Sequence, residues 1–199
     1  MTPDRAQAAA WYAQHLHWQV FPCHSVKGGR CTCGSSDCSS PGKHPRTVHG
    51  VKDASTDAAV IQSWWSQWPD ANVALATGAP SGIDAVDVDP RNCGDETLLD
   101  LEGKYSELPC TVTSLTGGGG CHLFFRHTEG VSNCTLAAGV DLKTTGGYVI
   151  LPPSIHMSGR RYTWEGRPNE TAVAPWPAWL LELARGRANG QPHPAPPVE

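Results

Sequence analysis

An acidic segment behind a glycine turn constrains the fold of this chain more than any other part of its sequence. Residues 83–89, Ile-Asp-Ala-Val-Asp-Val-Asp, predict a short β-strand, and Pro90 ends it because proline cannot donate a ladder hydrogen bond. Side chains two residues apart on a strand share a face, so Asp87 and Asp89 face one way and the neighbouring valines face a core. Asp84 falls on the valine face, and we expect it outside the regular strand or near its exposed end.

The two aspartates of this segment indicate a metal site. Carboxylates side by side repel each other and raise each other's pKa unless a cation lies between them. A hard divalent cation such as Mg²⁺ or Mn²⁺ takes oxygen ligands and suits the pair Asp87 and Asp89. The alternative is an exposed acidic end of a strand, which is common for an isolated Asp-x-Asp. Signals further along the chain favour the metal site.

Charge and apolar patterning exclude some classes of protein. Charged residues are 17% of the 199 residues and the net charge is −4, so a nucleotide site must be a local patch on a surface that is not basic. No apolar segment is long enough to span a bilayer, and the N-terminal residues lack the apolar core of a secretory signal. We expect a cytoplasmic protein with no membrane partner, built as one large domain or two small intertwined modules.

A loop at about residues 23–49 is the second strong signal. Its central part, residues 31–45, is rich in glycine, serine and proline and has few apolar side chains to bury. It therefore needs a cross-link, such as a bound metal ion, to be ordered. The clustering of cysteines there favours a metal site in a reducing compartment over a disulfide framework. The alternative is a reduced loop with free thiols. The predicted ligands of one structural zinc ion are Cys31, Cys33, Cys38 and His44, with Cys23, His24 and His49 as spare candidates.

Basic side chains on this loop have two interpretations. Lys43, Arg46 and His49 lie beside the predicted zinc ligands. They could contact phosphate groups of a nucleotide or of DNA, since a stapled loop would hold them in place. Equally, they could form a solvated basic rim without a ligand.

Helices and strands are predicted from caps, periodicity and breakers. Thr2 caps a first helix with Pro3 in its first turn, and Thr56-Asp57 caps a second helix that ends before Pro69. Asp95 or Thr97 caps a third helix at residues 98–105. A short apolar helix at residues 176–186 ends at Gly186 and precedes a linker or tail at residues 186–199, which contains Pro192, Pro194, Pro196 and Pro197. Further strands are predicted at residues 19–23, 72–77, 110–115 and 148–151.

A run of four glycines leads into a strand that begins with a histidine. Residues 116–122 read Thr-Gly-Gly-Gly-Gly-Cys-His between two predicted strands. Glycines let the backbone approach a ligand closely and offer N–H groups to anions, and His122 beside them can donate to a phosphate. The alternative is a hairpin turn with a surface histidine. No Gly-Lys-Ser/Thr follows, so this is not a Walker A loop.

Asp141 and Lys143 are the third set of candidates. They lie two residues apart on a predicted strand and share a face. Asp141 could complete a three-carboxylate metal site with Asp87 and Asp89, and Lys143 could then contact a triphosphate. The alternative is a surface ion pair along the strand, which is the usual explanation of such a spacing.

Taken together, these motifs resemble motifs I, II and III of the archaeo-eukaryotic primase superfamily, in its bifunctional DNA primase–polymerase (prim-pol) branch from plasmid and phage replication proteins. The similar segments are residues 77–82, 119–125 and 147–154, with Pro41-Gly-Lys-His-Pro45 similar to the zinc element of that branch. The resemblance covers roughly residues 5–185. One position departs from the pattern, because Gly120 stands where the motif usually has serine. The phosphate contact of that hydroxyl must be missing, or come from Ser114, Thr116 or a backbone N–H.

The resemblance implies an α+β fold of the archaeo-eukaryotic primase type. An N-terminal α/β module with the zinc loop would be fused to an antiparallel-sheet module like an RNA-recognition motif, with the active site in the cleft between them. Residues 1–185 would form this catalytic domain.

The implied activity is template-dependent nucleotidyl transfer by two Mg²⁺ or Mn²⁺ ions held by Asp87, Asp89 and Asp141. One ion would lower the pKa of the attacking 3′-hydroxyl and the other would neutralise the leaving pyrophosphate. The implied nucleotide-binding residues are His122, Lys143, Thr116, Gly118, Gly119 and Gly120, with Arg126, Arg160, Arg161 and Arg167 as candidates for the DNA backbone and Tyr148 or Trp164 for stacking on a base.

The implied partners are single-stranded DNA template and primer, ribo- or deoxyribonucleoside triphosphates, and a helicase domain or protein. Two other classes remain open. A metal-dependent nuclease could use the same carboxylates and would shorten a labelled primer, whereas the polymerase would extend it. A zinc-containing module without catalytic activity would bind DNA even after loss of Asp87.

Overall fold

The computed structural model describes residues 4–188, which form a mixed α+β fold. This agrees with the predicted fold class at the level of secondary structure. Thr2, Pro3 and the prolines of the predicted tail lie outside the described residues. The helices are α1 (Arg5–Leu16), α2 (Ala58–Gln67), α3 (Gly94–Lys104) and α4 (Ala178–Ala188), with short 3₁₀ helices at Gly50–Asp53 and Pro90–Asn92.

The strands form three sheets in which all neighbouring strands are antiparallel. They are β1 (Val20–Cys23), β2 (Val26–Lys27), β3 (Arg30–Cys31), β4 (Asn72–Ala76), β5 (Ile83–Val88), β6 (Thr113–Leu115), β7 (Cys121–Arg126), β8 (Cys134–Ala137), β9 (Val140–Lys143), β10 (Tyr148–Leu151) and β11 (Thr163–Gly166). The largest sheet has six strands in the order β11-β6-β7-β5-β9-β8. The second has the order β1-β4-β10, and β2 pairs with β3 in the cysteine-rich loop.

One hydrophobic core joins the two larger sheets to the first two helices. Tyr12 of α1 and Trp65 of α2 are buried together with Leu75 of β4, Val149 of β10 and Phe124 of β7. Burying an aromatic or branched side chain of this kind stabilises the fold by about 1.5–3 kcal/mol. Because β10 pairs with β4, a strand from the second half of the chain completes the smaller sheet.

The opposite face of the six-stranded sheet packs against α3 and α4. Val86, Phe125 and Leu142 of the sheet are buried against Leu101 of α3 and Leu180 of α4. Strand β7 therefore alternates Phe124 into one core and Phe125 into the other, so both of its faces are covered. None of the helices within residues 4–188 is long and apolar enough to cross a membrane.

The expectation for Asp84 is wrong, because this residue lies inside β5 and its side chain is fully buried. Its carboxylate accepts hydrogen bonds from the Thr144 hydroxyl (2.5 Å), the Thr128 backbone N–H (3.1 Å) and the Trp176 indole (3.2 Å), and the His127 ring nitrogen Nδ1 lies 2.9 Å away. These four partners replace the water that the carboxylate loses on burial. Asp84 thus holds together segments that are distant in the chain.

Helix boundaries agree with the sequence at α2 and differ at α3 and α4. The Asp57 carboxylate caps α2 by accepting from two backbone N–H groups (2.8 and 3.1 Å), as predicted. Helix α3 begins at Gly94, so neither Asp95 nor Thr97 is its cap; both lie in its first turns. Helix α4 continues through Gly186, so the prediction that this glycine ends the helix is wrong.

Candidate active site and metal centre

One face of the six-stranded sheet carries a row of polar side chains at directly opposite positions on five strands. Asp87 of β5 lies opposite His122 of β7 on one side and opposite Asp141 of β9 on the other. Ser114 of β6 lies opposite His122, and Thr135 of β8 lies opposite Asp141. Directly opposite residues have Cβ atoms about 4.5–5.5 Å apart. The sheet register thus brings together side chains from three separate sequence motifs.

His122 is held between a hydroxyl and a carboxylate. Its Nδ1 lies 3.2 Å from the Ser114 hydroxyl, and its Nε2 lies 3.6 Å from the Asp87 carboxylate. Burial lowers the pKa of His122, and the nearby Lys43 and Lys143 lower it further, while Asp87 opposes the shift. The imidazole is therefore mostly neutral at pH 7 and can donate from one nitrogen only.

Asp89 lies just beyond β5, one residue past the end of the strand. Its carboxylate caps the 3₁₀ helix Pro90–Asn92 and forms a two-pronged ion pair with Arg91, at 2.9 Å to Nε and 2.7 Å to Nη2. Asn92 donates a further hydrogen bond of 3.1 Å. The bonds from Arg91 lower the pKa of the Asp89 carboxyl. An Asp-Pro pair that caps a short helix is the sequence signal that would have predicted this conformation.

Asp141 also has a cationic neighbour. Its carboxylate lies 3.2 Å from the Lys143 ammonium and accepts a hydrogen bond of 2.7 Å from the Thr135 hydroxyl. The structure therefore contains the ion pair along the strand that the spacing of the two residues favours. Arg91 and Lys143 thus offset the charges of Asp89 and Asp141, whereas the neighbour of Asp87 is a neutral histidine.

A cavity of about 490 Å³ opens beside this row, between β10, the cysteine-rich loop and the six-stranded sheet. Asp87, His122 and Lys143 line it, as does Lys43 from the loop. Tyr148 and Tyr162 form part of its wall, and the Tyr162 ring centre lies 6.1 Å from that of His122. Tyr162 carries no sequence signal, because its approach to His122 depends on the packing of a distant loop. Tyr162 also lines a larger cavity, of about 710 Å³. Among residues 4–188, no aspartate or glutamate lines that cavity.

The glycine turn has no room for the serine that the motif usually has. A Cβ atom at Gly120 would overlap with the carbonyl oxygen of Val88 and would lie 2.9 Å from Pro90 Cδ. The Ser114 hydroxyl does not replace the missing one, because it is buried and lies at the His122 ring. The sequence thus departs from the motif where the backbone of β5 passes closest to the turn.

Two of the three backbone N–H groups predicted to bind phosphate already donate hydrogen bonds within the glycine turn. Gly119 donates to the Thr116 carbonyl (3.1 Å), and Gly120 donates to the Thr116 hydroxyl (3.1 Å). For the Gly118 N–H, no acceptor is found within residues 4–188. Gly118 is therefore the member of the set whose N–H remains available to an anion.

The predicted zinc ligands converge in one cluster. One ligand atom from each of Cys31, Cys33, Cys38 and His44 lies within 4.8 Å of the other three, and the Cys31 sulfur lies 3.3 Å from His44 Nε2. Burial raises the pKa of Cys31, but N–H groups of Cys33 and Gly42 and the neighbouring His44 outweigh it, so that its pKa falls to about 6. Three thiols and an imidazole at this spacing fit tetrahedral zinc. Among residues 4–188 this is the only group of three or more such ligands within that distance, so the three carboxylates are less tightly gathered.

The spare zinc candidates have other neighbours. Cys23 is buried in a hydrophobic cluster, which raises the pKa of its thiol. His24 stacks on the His44 ring, with 4.3 Å between ring centres, and contacts Thr32. His49 is exposed and forms an ion pair with Asp53 at 2.9 Å. The cluster is therefore complete without them.

The basic residues named from the sequence divide by position. Lys43 lines the cavity, whereas Arg46 donates to the Thr32 hydroxyl and lies over the Trp68 ring. Arg160 donates to the backbone of the glycine turn, at Gly117. The other three arginines lie away from the cavity: Arg126 donates to the Val173 carbonyl, Arg161 donates to the Pro153 carbonyl and Arg167 pairs with Glu170.

The two aromatic candidates for base stacking also differ in position. Trp164 packs against the hydrophobic core that contains Tyr12 and Phe124, whereas Tyr148 lines the cavity.

Comparison with known families gives one match. The family model described as "Bifunctional DNA primase/polymerase, N-terminal" matches residues 9–179. The matched region contains the whole polar row, the glycine turn and the cysteine–histidine cluster. A comparison with curated proteins found no match.

Proposed function

The chain belongs to the bifunctional DNA primase/polymerase family, and from this premise we propose that it is a template-dependent nucleotidyltransferase whose active site is the cavity beside Asp87. The observation that carries the proposal is the position of Asp87 between His122 and Asp141 in the sheet register. In this arrangement, carboxylates that can bind a metal ion lie next to a histidine that can donate a hydrogen bond to a phosphate.

Asp87, Asp89 and Asp141 are the proposed ligands of two Mg²⁺ or Mn²⁺ ions. Their side chains are 35%, 27% and 40% exposed, so their oxygens are accessible from solvent. Such ions, when bound, activate the attacking hydroxyl and neutralise the leaving pyrophosphate. Arg91 and Lys143 occupy oxygens of two of these carboxylates, so a divalent cation has to compete with them.

The triphosphate of the incoming nucleotide is proposed to bind His122, Lys143 and the Gly118 N–H. His122 is suited to this role because Ser114 fixes its ring and leaves Nε2 directed to the Asp87 side. Lys143 lines the same cavity and is 32% exposed, so it can exchange Asp141 for a phosphate. Thr116, whose hydroxyl accepts from Gly120, shapes the turn.

The finer features follow from the family resemblance and are part of the proposal. The six-stranded sheet would be the module similar to an RNA-recognition motif, and the smaller sheet with the zinc loop would be the N-terminal module of a primase fold. The zinc ion would be structural, since the four protein ligands leave no open position. The chain would act on single-stranded DNA and a primer in plasmid or phage replication, together with a helicase.

Primer extension tests the proposal. The zinc-loaded chain is incubated with a labelled primer–template, nucleotides and Mg²⁺ or Mn²⁺, and de novo synthesis is followed on single-stranded DNA with each nucleotide pool in turn. We expect extension by the wild type, a loss of about 100-fold or more in Asp87→Asn and Asp141→Asn, and no loss in Asp100→Asn, an exposed aspartate of α3 that serves as the control. Shortening of the primer would instead identify a nuclease, and tight DNA binding without turnover would identify a non-catalytic module.

A further inference from the structure

Two basic side chains lie against the side of the glycine turn that faces the loop after β10. The His156 ring is close to Gly118, since a Cβ there would lie 3.6 Å from His156 Nε2. Arg160 donates from Nε to the Gly117 carbonyl at 2.9 Å, and its Nη2 lies 3.6 Å from where a Gly119 Cβ would be. The absence of side chains on the turn thus brings a histidine and a guanidinium within reach of its backbone.

A buried amide brings the zinc loop to the same place. Asn72 is fully buried in β4, and its Nδ2 donates to the carbonyls of both Gly42 and Ile155 at 2.8 Å. Its Oδ1 accepts from the Ile155 N–H at 2.9 Å. Gly42 and Ile155 directly precede Lys43 and His156 in the chain. One side chain therefore fixes the backbone positions from which Lys43 and His156 extend.

Two positive charges in this region form no ion pair within residues 4–188. Burial lowers the pKa of His156, and the charges of Lys43, Arg91 and Arg160 lower it further, whereas Asp89 alone acts in the opposite sense. Arg91 is neutralised by its ion pair with Asp89. Within residues 4–188, neither Lys43 nor Arg160 forms a salt bridge. Asp87 lines the cavity with Lys43, and the charge of Lys43 acts on Asp89, but neither carboxylate forms an ion pair with Lys43. An anion bound between Lys43 and Arg160 is therefore favourable.

We propose that Lys43, His156 and Arg160 form a second phosphate-binding site on the glycine turn, next to the cavity that Lys43 lines together with His122 and Lys143. Its donors are the Lys43 ammonium, the Arg160 guanidinium and the His156 ring, which lies beside Gly118. The ligand is a phosphate anion, either the polyphosphate of a nucleotide or the phosphodiester backbone of DNA. The site rests on the proposed function only in that this function supplies both kinds of phosphate.

Asn72 is a positioning residue in this proposal and contacts no ligand. Its hydrogen bonds couple the zinc loop to the loop of His156, so the order of the zinc loop and the affinity for phosphate are linked. Loss of zinc is expected to weaken phosphate binding through Lys43, while the polar row on the six-stranded sheet stays in place.

Calorimetric titration of the zinc-loaded full chain tests the site without requiring synthesis. Inorganic tripolyphosphate is the first probe and a single-stranded oligonucleotide without a terminal phosphate is the second, with the zinc content checked after each titration. We expect Lys43→Ala and Arg160→Ala each to weaken binding of one probe about 10-fold, as for the loss of a charged hydrogen bond. Lys104→Ala is the control and is expected to bind as the wild type does, because Lys104 is an exposed lysine at the end of α3.

The two probes identify the source of the phosphate. A loss confined to tripolyphosphate assigns the site to a nucleotide, and a loss confined to the oligonucleotide assigns it to the DNA backbone. Unchanged affinity for both probes in both variants would overturn the proposal, even if the wild type extends primers. Conversely, Lys43→Ala and Arg160→Ala could weaken phosphate binding although the wild type never extends a primer. That result would support the phosphate-binding site and reject the proposed polymerase activity.

Discussion

Asp87 of β5 and Asp141 of β9 are directly opposite residues on neighbouring antiparallel strands, on one face of the six-stranded sheet. Like charges at such positions destabilise a sheet. Lys143 beside Asp141 offsets part of the repulsion, whereas the neutral His122 ring beside Asp87 adds no positive charge. A sheet that only had to be stable would not need two acids here, so the pair indicates a function that opposes stability.

Replacement of Asp87 separates function from stability. Asp87→Asn removes the repulsion with Asp141 and keeps the side-chain shape, so we expect the free energy of unfolding in urea to stay equal or rise by up to about 1 kcal/mol. Primer extension should fall about 100-fold or more in the same variant. A variant that is destabilised by several kcal/mol would show that Asp87 is structural, and near wild-type extension would show that it is not a metal ligand.

Divalent cations should stabilise the wild type through the same residues. A ligand that binds only the folded state raises the melting temperature as its concentration passes the dissociation constant. We expect Mn²⁺ to raise the melting temperature of the zinc-loaded wild type and to leave that of Asp87→Asn almost unchanged. Arg91→Ala, which frees Asp89 from its ion pair, should enlarge the Mn²⁺ effect. An equal response in the wild type and in Asp87→Asn would place the Mn²⁺ site elsewhere.

The zinc cluster gives a prediction about the cysteine-rich loop. Residues 34–37 of this loop are exposed, so packing contributes little to its order and metal binding is expected to supply the rest. Cys38→Ser should lower the zinc content from one ion per chain toward zero and make the loop sensitive to limited proteolysis. Cys110→Ser, at an exposed cysteine outside the cluster, is the control and should keep its zinc. A full zinc content in Cys38→Ser would mean that another residue completes the site.

The sequence predicted the strands of the polar row other than β8, because local signals define them. The alternation of apolar and polar residues around Asp87, and the glycines before His122, are properties of short segments. Asp84 shows where such signals end. Its partners His127, Thr144 and Trp176 are 43, 60 and 92 residues away in the chain, so a local pattern could only suggest an exposed acid. In the folded chain, long-range packing buries Asp84 and supplies hydrogen-bond partners for its carboxylate.

The sequence also could not show why Gly120 replaces a serine. Removing a hydroxyl from a motif looks like a loss of function when only the motif is compared. The approach of the Val88 carbonyl to Gly120, which depends on the path of β5 past the turn, supplies a steric reason instead. Similarly, the hydrogen bonds from Asn72 to the Gly42 and Ile155 carbonyls join segments that share no sequence pattern.

Restoring the serine at Gly120 should therefore harm the protein. In Gly120→Ser the new side chain would overlap with the Val88 carbonyl, and such overpacking costs about 1–3 kcal/mol or more. The control is Gly103→Ser in α3, where a Cβ would meet no atom within 4 Å. Serine is a better helix former than glycine, so the control should be neutral or slightly stabilising in urea unfolding. Improved extension by Gly120→Ser at unchanged stability would contradict the steric explanation.

Acid should destabilise the protein through its buried histidine. The pKa of His122 is lowered in the folded state, chiefly by burial, so the unfolded chain binds a proton at higher pH than the folded chain does. The stability that His122 contributes is therefore complete above the unfolded pKa of about 6.5 and is lost as the pH falls below it, by up to about 1.4 kcal/mol per pH unit. In His122→Gln this part of the slope should disappear between pH 7 and pH 5, while the parts due to His24 and His156, whose pKa values are also lowered, should remain. Urea unfolding at several pH values measures the slope directly. An identical slope in the variant would mean that the pKa of His122 is the same in the folded and unfolded chains. A steeper slope in the variant would mean that the folded protein raises this pKa, so that the ring could act on a phosphate as a cation.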